Sequence, residues 1–220
     1  MEFKYGSIPV MAVTRRAVLA AAAAAAAGAR AAQAAPAPVI TILGDSITAG
    51  LGLAAADALP AQLQQALAGQ GVAAQVRGAA VSGDTTADAL ARVDFSVQAD
   101  TRLCLVALGG NDLLQGVEPG LVKANLAAAV RRLRARNIGV VLAGMRAPAA
   151  IGAGYAREFN AVFPEVAKAE GVRLYPFLLE GVASDPRLNQ ADGIHPNAAG
   201  VKIIAARLAP VLAKALRTGR

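Results

Sequence analysis

After Pro36 and Pro38 the chain alternates short β-type runs with longer stretches of helical period, and this alternation limits the fold more than any other feature. Strands separated by helix-length crossovers pair in parallel, and such a sheet needs helices on both faces. The β-type runs fall at 39–43, 72–76, 103–108, 139–143 and 172–175, which predicts five strands. Two of the intervening stretches carry apolar stripes, Leu121, Leu126, Val130 and Leu133 in one, and Val201, Ile204, Leu208 and Val211 in the other. Pro210 lies inside the second stripe and is expected to kink or shorten that helix. With 220 residues and 55% hydrophobic content, one domain can bury one good core. Aromatic content is 4% with no Trp, so that core must be built from Leu, Val, Ile and Ala.

The N-terminal segment reads separately. In residues 14–34, two arginines precede a long run of small apolar residues that finishes in Ala32-Gln33-Ala34, an export signal with its cleavage pattern. The uninterrupted apolar part, Ala17 to Ala27, is shorter than the roughly 20 residues a bilayer span takes, so a permanent anchor is not expected. Thr14-Arg15-Arg16 followed by Val18-Leu19 resembles a twin-arginine address. Met11 is a second candidate initiator, because the first ten residues do not look like the start of a signal. The expected organisation is therefore extension and signal over 1–34 and a single domain over 35–220. The mature protein would be periplasmic or extracellular.

The net charge of +7 raises the question of a nucleic-acid partner. Lys4, Arg15, Arg16 and Arg30 carry part of it ahead of the domain, and Arg131, Arg132, Arg134 and Arg136 fall on one predicted helix without interleaved aromatics. A solvated helix face explains that cluster, and no nucleic-acid partner is expected. Cys104, the single cysteine, sits in an apolar run and reads as a buried thiol.

In a parallel α/β sheet, functional groups gather beyond the C-terminal ends of the strands. Three polar clusters follow predicted strands: Gly44-Asp45-Ser46-Ile47-Thr48-Ala49-Gly50, Val81-Ser82-Gly83-Asp84-Thr85-Thr86 and Gly109-Gly110-Asn111-Asp112. A fourth, Asp192-Gly193-Ile194-His195-Pro196, precedes the last helix, with Pro196 suited to its first position. His195 is the only histidine. These elements match acyl transfer: Ser46 as nucleophile, His195 as its base, and Asp192 holding the imidazole tautomer. The N–H of Ser46, the N–H of Gly83 and the Asn111 amide would hold the oxyanion. Asp45, Asp84 and Asp112 are expected to bond loop backbone. Taken singly, each residue has an ordinary explanation as a cap, a turn or a surface group. Their occurrence together, in order and each at a strand or helix end, is what carries the chemistry.

These blocks, GDSITAG, VSGDTT, LGGND and DGIHPN, resemble the ordered blocks of the SGNH (GDSL-like) hydrolases, closest to the periplasmic branch of arylesterases, acyl-CoA thioesterases and lysophospholipases. The likeness runs from about Val39 to the C-terminal helix, with GDSI in place of GDSL. It implies a three-layer α/β/α sandwich with a five-stranded parallel sheet, flavodoxin-like, needing no cofactor and acting on small-molecule esters or thioesters. It also implies an acyl pocket lined by Leu113, Leu114, Ile151 and Tyr155. The G-x-S-x-G elbow of α/β-hydrolases is absent, since Thr48 stands where glycine is required.

A carbohydrate O-deacetylase using the same residues is the nearest alternative. A non-catalytic flavodoxin-like binding module is more distant, because Gly44 to Gly50 has no Walker lysine and no G-x-G-x-x-G. A metal is not expected, since one histidine and no spaced thiols leave a ligand set short. A monomer is expected. N-terminal sequencing of the exported protein should find a mature start at or beside Ala35, and a start far from it would overturn the signal assignment.

Overall fold

In the computed structural model, which describes Glu2 and residues 36–218, β1 (Val39–Gly44) runs through the middle of the molecule with all six residues buried. It is followed by α1 (Ser46–Ala49), α2 (Leu59–Ala68), β2 (Gln75–Ala80), α3 (Thr86–Ser96), β3 (Thr101–Ala107), α4 (Gly110–Gln115), α5 (Pro119–Ala135), β4 (Gly139–Ala143), α6 (Ala153–Glu170), β5 (Arg173–Tyr175) and α7 (Ala198–Thr218). The export-signal assignment and the boundary at 34/35 lie outside the described residues.

The five strands form one sheet in the order β2-β1-β3-β4-β5, every pair parallel. Helices α2 and α7 pack together, while α3, α5 and α6 pack in series, giving the two outer layers of a three-layer sandwich. From β1 the chain first adds β2 on one side and then β3 on the other. The order therefore reverses between β1 and β3, and the crevice above their C-terminal ends is where such folds place ligands.

The central strands β3 and β4 are nearly continuous runs of buried Val, Leu, Cys and Ala, as a sheet covered on both faces requires. Edge strands β2 and β5 are half-exposed. That explains a shift from expectation: the second strand begins at Gln75, not at 72. The Val72 N–H instead closes α2 on the Leu67 carbonyl. The strand then runs into Gly78-Ala79-Ala80, residues with little strand propensity of their own. Gly78 packs closely on α2 there, since a Cβ would lie 3.3 Å from the Pro60 ring.

Three other expectations are corrected. Leu121 is 59% exposed, and Val122 takes its place in the buried stripe with Leu126, Val130 and Leu133. Helix α7 is not shortened at Pro210: it continues for 21 residues, with buried Leu208, Ala209, Leu212 and Ala213 anchoring it on both sides of the missing N–H. Pro196 is not at its first position. It forms an isolated antiparallel bridge with Asn189, while the Asn197 side chain accepts from the N–H of Ala199 and Gly200 and so caps the helix. Cys104 is fully buried, and burial pushes its thiol up to about 12, which leaves it unreactive. No helix among the described residues is long and apolar enough to cross a membrane.

Gly109 joins β3 to α4 at φ +108°, and a Cβ there would lie 2.9 Å from the Phe163 ring. Gly109→Ala should therefore combine a left-handed backbone with a clash, costing roughly 1–3 kcal/mol in urea unfolding.

Candidate active site

Four loops meet at the C-terminal edge of the sheet. The first leaves β1 through Asp45, whose carboxylate accepts from the Ile47 N–H at 3.0 Å and caps α1. Ser46 is thus the first residue of a short helix, without the strained backbone of a nucleophile elbow; among the described residues, the positive-φ residues other than glycine are Asn137 and Ser184.

The fourth loop carries the imidazole. His195 Nε2 lies 2.9 Å from Ser46 Oγ, and His195 Nδ1 lies 2.6 Å from Asp192 Oδ2. Asp192 Oδ1 accepts from the N–H of Ile194 at 2.9 Å and of His195 at 3.0 Å. Those N–H groups, with the imidazole, hold the Asp192 carboxyl at about 2, so it is ionised throughout the neutral range. An ionised acceptor on Nδ1 selects the tautomer with the proton there and leaves Nε2 free to accept from the serine hydroxyl.

This loop has little regular structure and is held by amide side chains. Gln190 Nε2 donates to the carbonyls of Leu51 and Pro196, tying the His195 loop to the one after α1. Asn189 donates to Val182 and Asp185, and Asn197 to Arg187 and Asn189. Asn189 and Gln190 did not stand out in the sequence, and the link from Gln190 to Leu51 spans 139 positions.

The second and third loops are locked to each other. Asn111 Nδ2 donates to the Asp84 carbonyl at 2.8 Å, while buried Asp112 accepts from both the N–H and the hydroxyl of Thr86. A second amide hydrogen of Asn111 remains available. Gly83 has φ +92°, a conformation that favours glycine. Among the described residues no turn, cap or side-chain acceptor takes the N–H of Ser46 or of Gly83. Thr85 and Asp88 form a capping box that starts α3 just beyond.

Asp45 and Asp112 bond loop N–H groups as expected. Asp84 does not: its carboxylate pairs with Arg92 at 2.6 Å, and Arg92 also donates to the carbonyls of Ala79 and Gly44 at the ends of β2 and β1. Arg92 is a residue that sequence reasoning missed, since a lone arginine on an amphipathic helix gives no signal.

Ser46, Gly83, Asn111 and His195 all line one cleft of about 470 Å³. Leu113 and Leu114 line it too. Ile151 and Tyr155 do not, and their assignment to the pocket is corrected. Tyr155 donates its hydroxyl to the Val117 carbonyl and stacks on Phe159, bracing α6 instead. Ile151 sits half-exposed on a 3-10 turn. The apolar wall comes from Met145, Pro148, Phe177 and Leu179, on the loops after β4 and β5. No group of three or more His, Cys, Asp or Glu among the described residues is placed to hold a metal.

A three-layer sandwich with a Ser-His-Asp array at its switch point defines a hydrolase of the SGNH architecture. Residues 42–203 match the GDSL-like Lipase/Acylhydrolase family. The chain is 40% identical over 163 residues to Esterase TesA of Pseudomonas aeruginosa, covering 74% of this chain and 81% of that protein. It is 39% identical over 165 residues to Thioesterase 1/protease 1/lysophospholipase L1 of Escherichia coli, covering 74% and 78%. The crystal structure of AlinE4, an SGNH-hydrolase family esterase, superposes with a TM-score of 0.69 at 43% identity, over 83% of this chain and 98% of that one. The chain belongs to the GDSL-like lipase/acylhydrolase family, a family of ester hydrolases.

Asp45 is the second carboxyl beside Ser46. Burial pushes it up from 3.8 to about 6, against the lowering effect of the Ile47 N–H and of His195. With its folded value above its unfolded one, the native state binds this proton more tightly, so stability falls as pH rises from 3.8 to about 6 and stays level above. The decline is of order 3 kcal/mol for a shift of this size. Asp45→Asn keeps the cap and should remove that decline in urea unfolding measured across the pH range; an unchanged profile would refute the assignment.

Proposed function

We propose that the protein is an exported serine esterase that hydrolyses carboxylic esters, and thioesters by the same route, through an acyl-enzyme on Ser46. Ser46 Oγ attacks the carbonyl carbon while its proton passes to His195 Nε2. The oxyanion forms against the N–H groups of Ser46 and Gly83 and the amide of Asn111. Collapse breaks the ester bond, and His195 returns the proton to the leaving alcohol or thiol. Water then repeats the sequence on the acyl-enzyme, releasing the acid and restoring Ser46.

The observation that carries this reading is the continuous chain from ionised Asp192 through His195 to the Ser46 hydroxyl, with contacts of 2.6 and 2.9 Å. The apolar cleft beside it suits an acyl chain or an aryl leaving group more than a sugar, since sugar recognition needs a dense set of polar side chains. Esterase and thioesterase/lysophospholipase are also the activities in the names of two relatives. The export signal at 14–34 supports a site of action outside the cytoplasm.

Fluorophosphonate labelling with peptide mapping should place the adduct on Ser46, and Ser46→Ala and His195→Ala should both lose it. Asn111→Ala is expected to lower kcat on p-nitrophenyl butyrate by about 10²–10³, the scale for one oxyanion donor. Deacetylation of acetylated xylan faster than hydrolysis of p-nitrophenyl butyrate or octanoate would replace this reading with a carbohydrate deacetylase.

A further inference from the structure

Arg146 stands apart from the rest of the cleft wall. Among the described residues lining the cleft it is the one guanidinium, and the one carboxylate, Asp45, is buried and already bonded to the Ile47 N–H. Its neighbours on the wall are Met145 and Pro148, with Phe177 from the facing loop.

The backbone on either side of Arg146 is pinned. Gly144 exchanges hydrogen bonds with the next loop, donating to the Tyr175 carbonyl and accepting from Leu178, each at 2.8 Å. Ala147 exchanges two more with the Asn160 amide, at 2.7 and 3.1 Å. The guanidinium lies over the Phe177 ring, 5.1 Å from its centroid, which holds the plane in place. None of its N–H groups is within hydrogen-bond range of an acceptor among the described residues. Its ion-pair partner, Glu180 Oε2, is 3.6 Å from Nη1, too far for a hydrogen bond.

An arginine that is merely solvated has a mobile head. This one, though half-exposed and ion-paired at long range with Glu180, is fixed at both backbone ends, stacked on Phe177 and placed in the lining of the cleft, with no hydrogen bond to an acceptor among the described residues. A planar fork of this kind matches a phosphate or carboxylate bidentately, where a lysine would offer only a point charge.

We infer that Arg146 is a specificity-determining residue: it selects esters that bear an anionic group, a phosphate or a carboxylate, over neutral esters of the same acyl chain. This rests on the esterase reading above and deepens it. The favoured substrate is amphiphilic, its apolar portion along Leu113, Leu114 and Phe177 and its anion on Arg146 at the mouth.

Matched ester pairs test it below their micellar concentrations. The phosphate pair is 1-octanoylglycerol 3-phosphate and 1-octanoylglycerol. The carboxylate pair is 4-(octanoyloxy)benzoate and phenyl octanoate. In the wild type the anionic-to-neutral ratio of kcat/KM should fall with rising NaCl. Arg146→Gln should lower it about tenfold, mainly through KM, and Arg146→Lys should recover part of the loss. Arg187→Gln, which removes a guanidinium paired with Asp185 outside the cleft lining, serves as control and should leave the ratio in place. A fall for the phosphate pair alone assigns a phosphate subsite, and a fall for both assigns a general anion subsite; either supports the inference. A ratio that does not move in Arg146→Gln, or that moves equally in Arg187→Gln, overturns it.

Calorimetric binding of the phosphate pair to Ser46→Ala, with and without Arg146→Gln, reads the subsite without turnover. Tighter binding of the phosphate ester that is lost with Arg146 sustains the subsite even if no ester is hydrolysed, which would count against the esterase reading alone. Equal binding of the two esters overturns the subsite even if both are hydrolysed by the wild type.

Discussion

The structure turns on β1. It is bonded to neighbours on both sides beside the point where the sheet order reverses, and all six of its residues are buried. Its C-terminal carbonyl at Gly44 is held by Arg92 and by the Val81 N–H, and the residue after it, Asp45, caps the helix that begins with the serine. Ser46 is consequently placed by the end of a fully buried strand. Gly44 admits this geometry because a Cβ there would lie 2.0 Å from the Thr48 hydroxyl and 3.0 Å from the Ala107 carbonyl.

Against that fixed point the other loops are positioned by polar side chains rather than by the sheet. Thr86 on Asp112 and Asn111 on the Asp84 carbonyl couple the loops after β2 and β3. Gln190 couples the loop before α7 to Leu51. The links of Thr86 to Asp112 and of Asn111 to Asp84 are buried or part-buried, so their loss would leave an unsatisfied group, which costs more than the bond itself contributes, whereas the Gln190 link is exposed. A shallow cleft built from loops can in this way keep the sub-ångström placement that proton transfer requires.

Two carboxyls flank the same serine and differ through their surroundings. Asp192, half-exposed and bonded to two N–H groups and the imidazole, is held near 2 and remains charged. Asp45, almost fully buried with one N–H partner, is pushed to about 6. The first can stabilise an imidazolium as it forms; the second serves the backbone. Chemical identity is the same, and solvation separates the roles.

Much of this was legible in the residues. Period and run length marked five strands in order, because a doubly covered sheet needs continuous apolar stretches, and the sole histidine left no second candidate for a base. Less legible were features in which a local rule was overridden by packing: β2 built from Gly and Ala at an edge, α7 carried through Pro210 by its buried neighbours, and Val122 rather than Leu121 facing the core. The pocket wall was partly misread, with Ile151 and Tyr155 replaced by Met145, Pro148, Phe177 and Leu179, since which face of a loop meets a cavity has no periodic signature. By itself the sequence determined the layer architecture and the chemical groups available at the strand ends, both of which follow from short-range pattern. Tertiary structure alone decided which of those groups meet, because the contact between Ser46 and His195 spans 149 positions of chain and depends on amide bridges that no local pattern encodes.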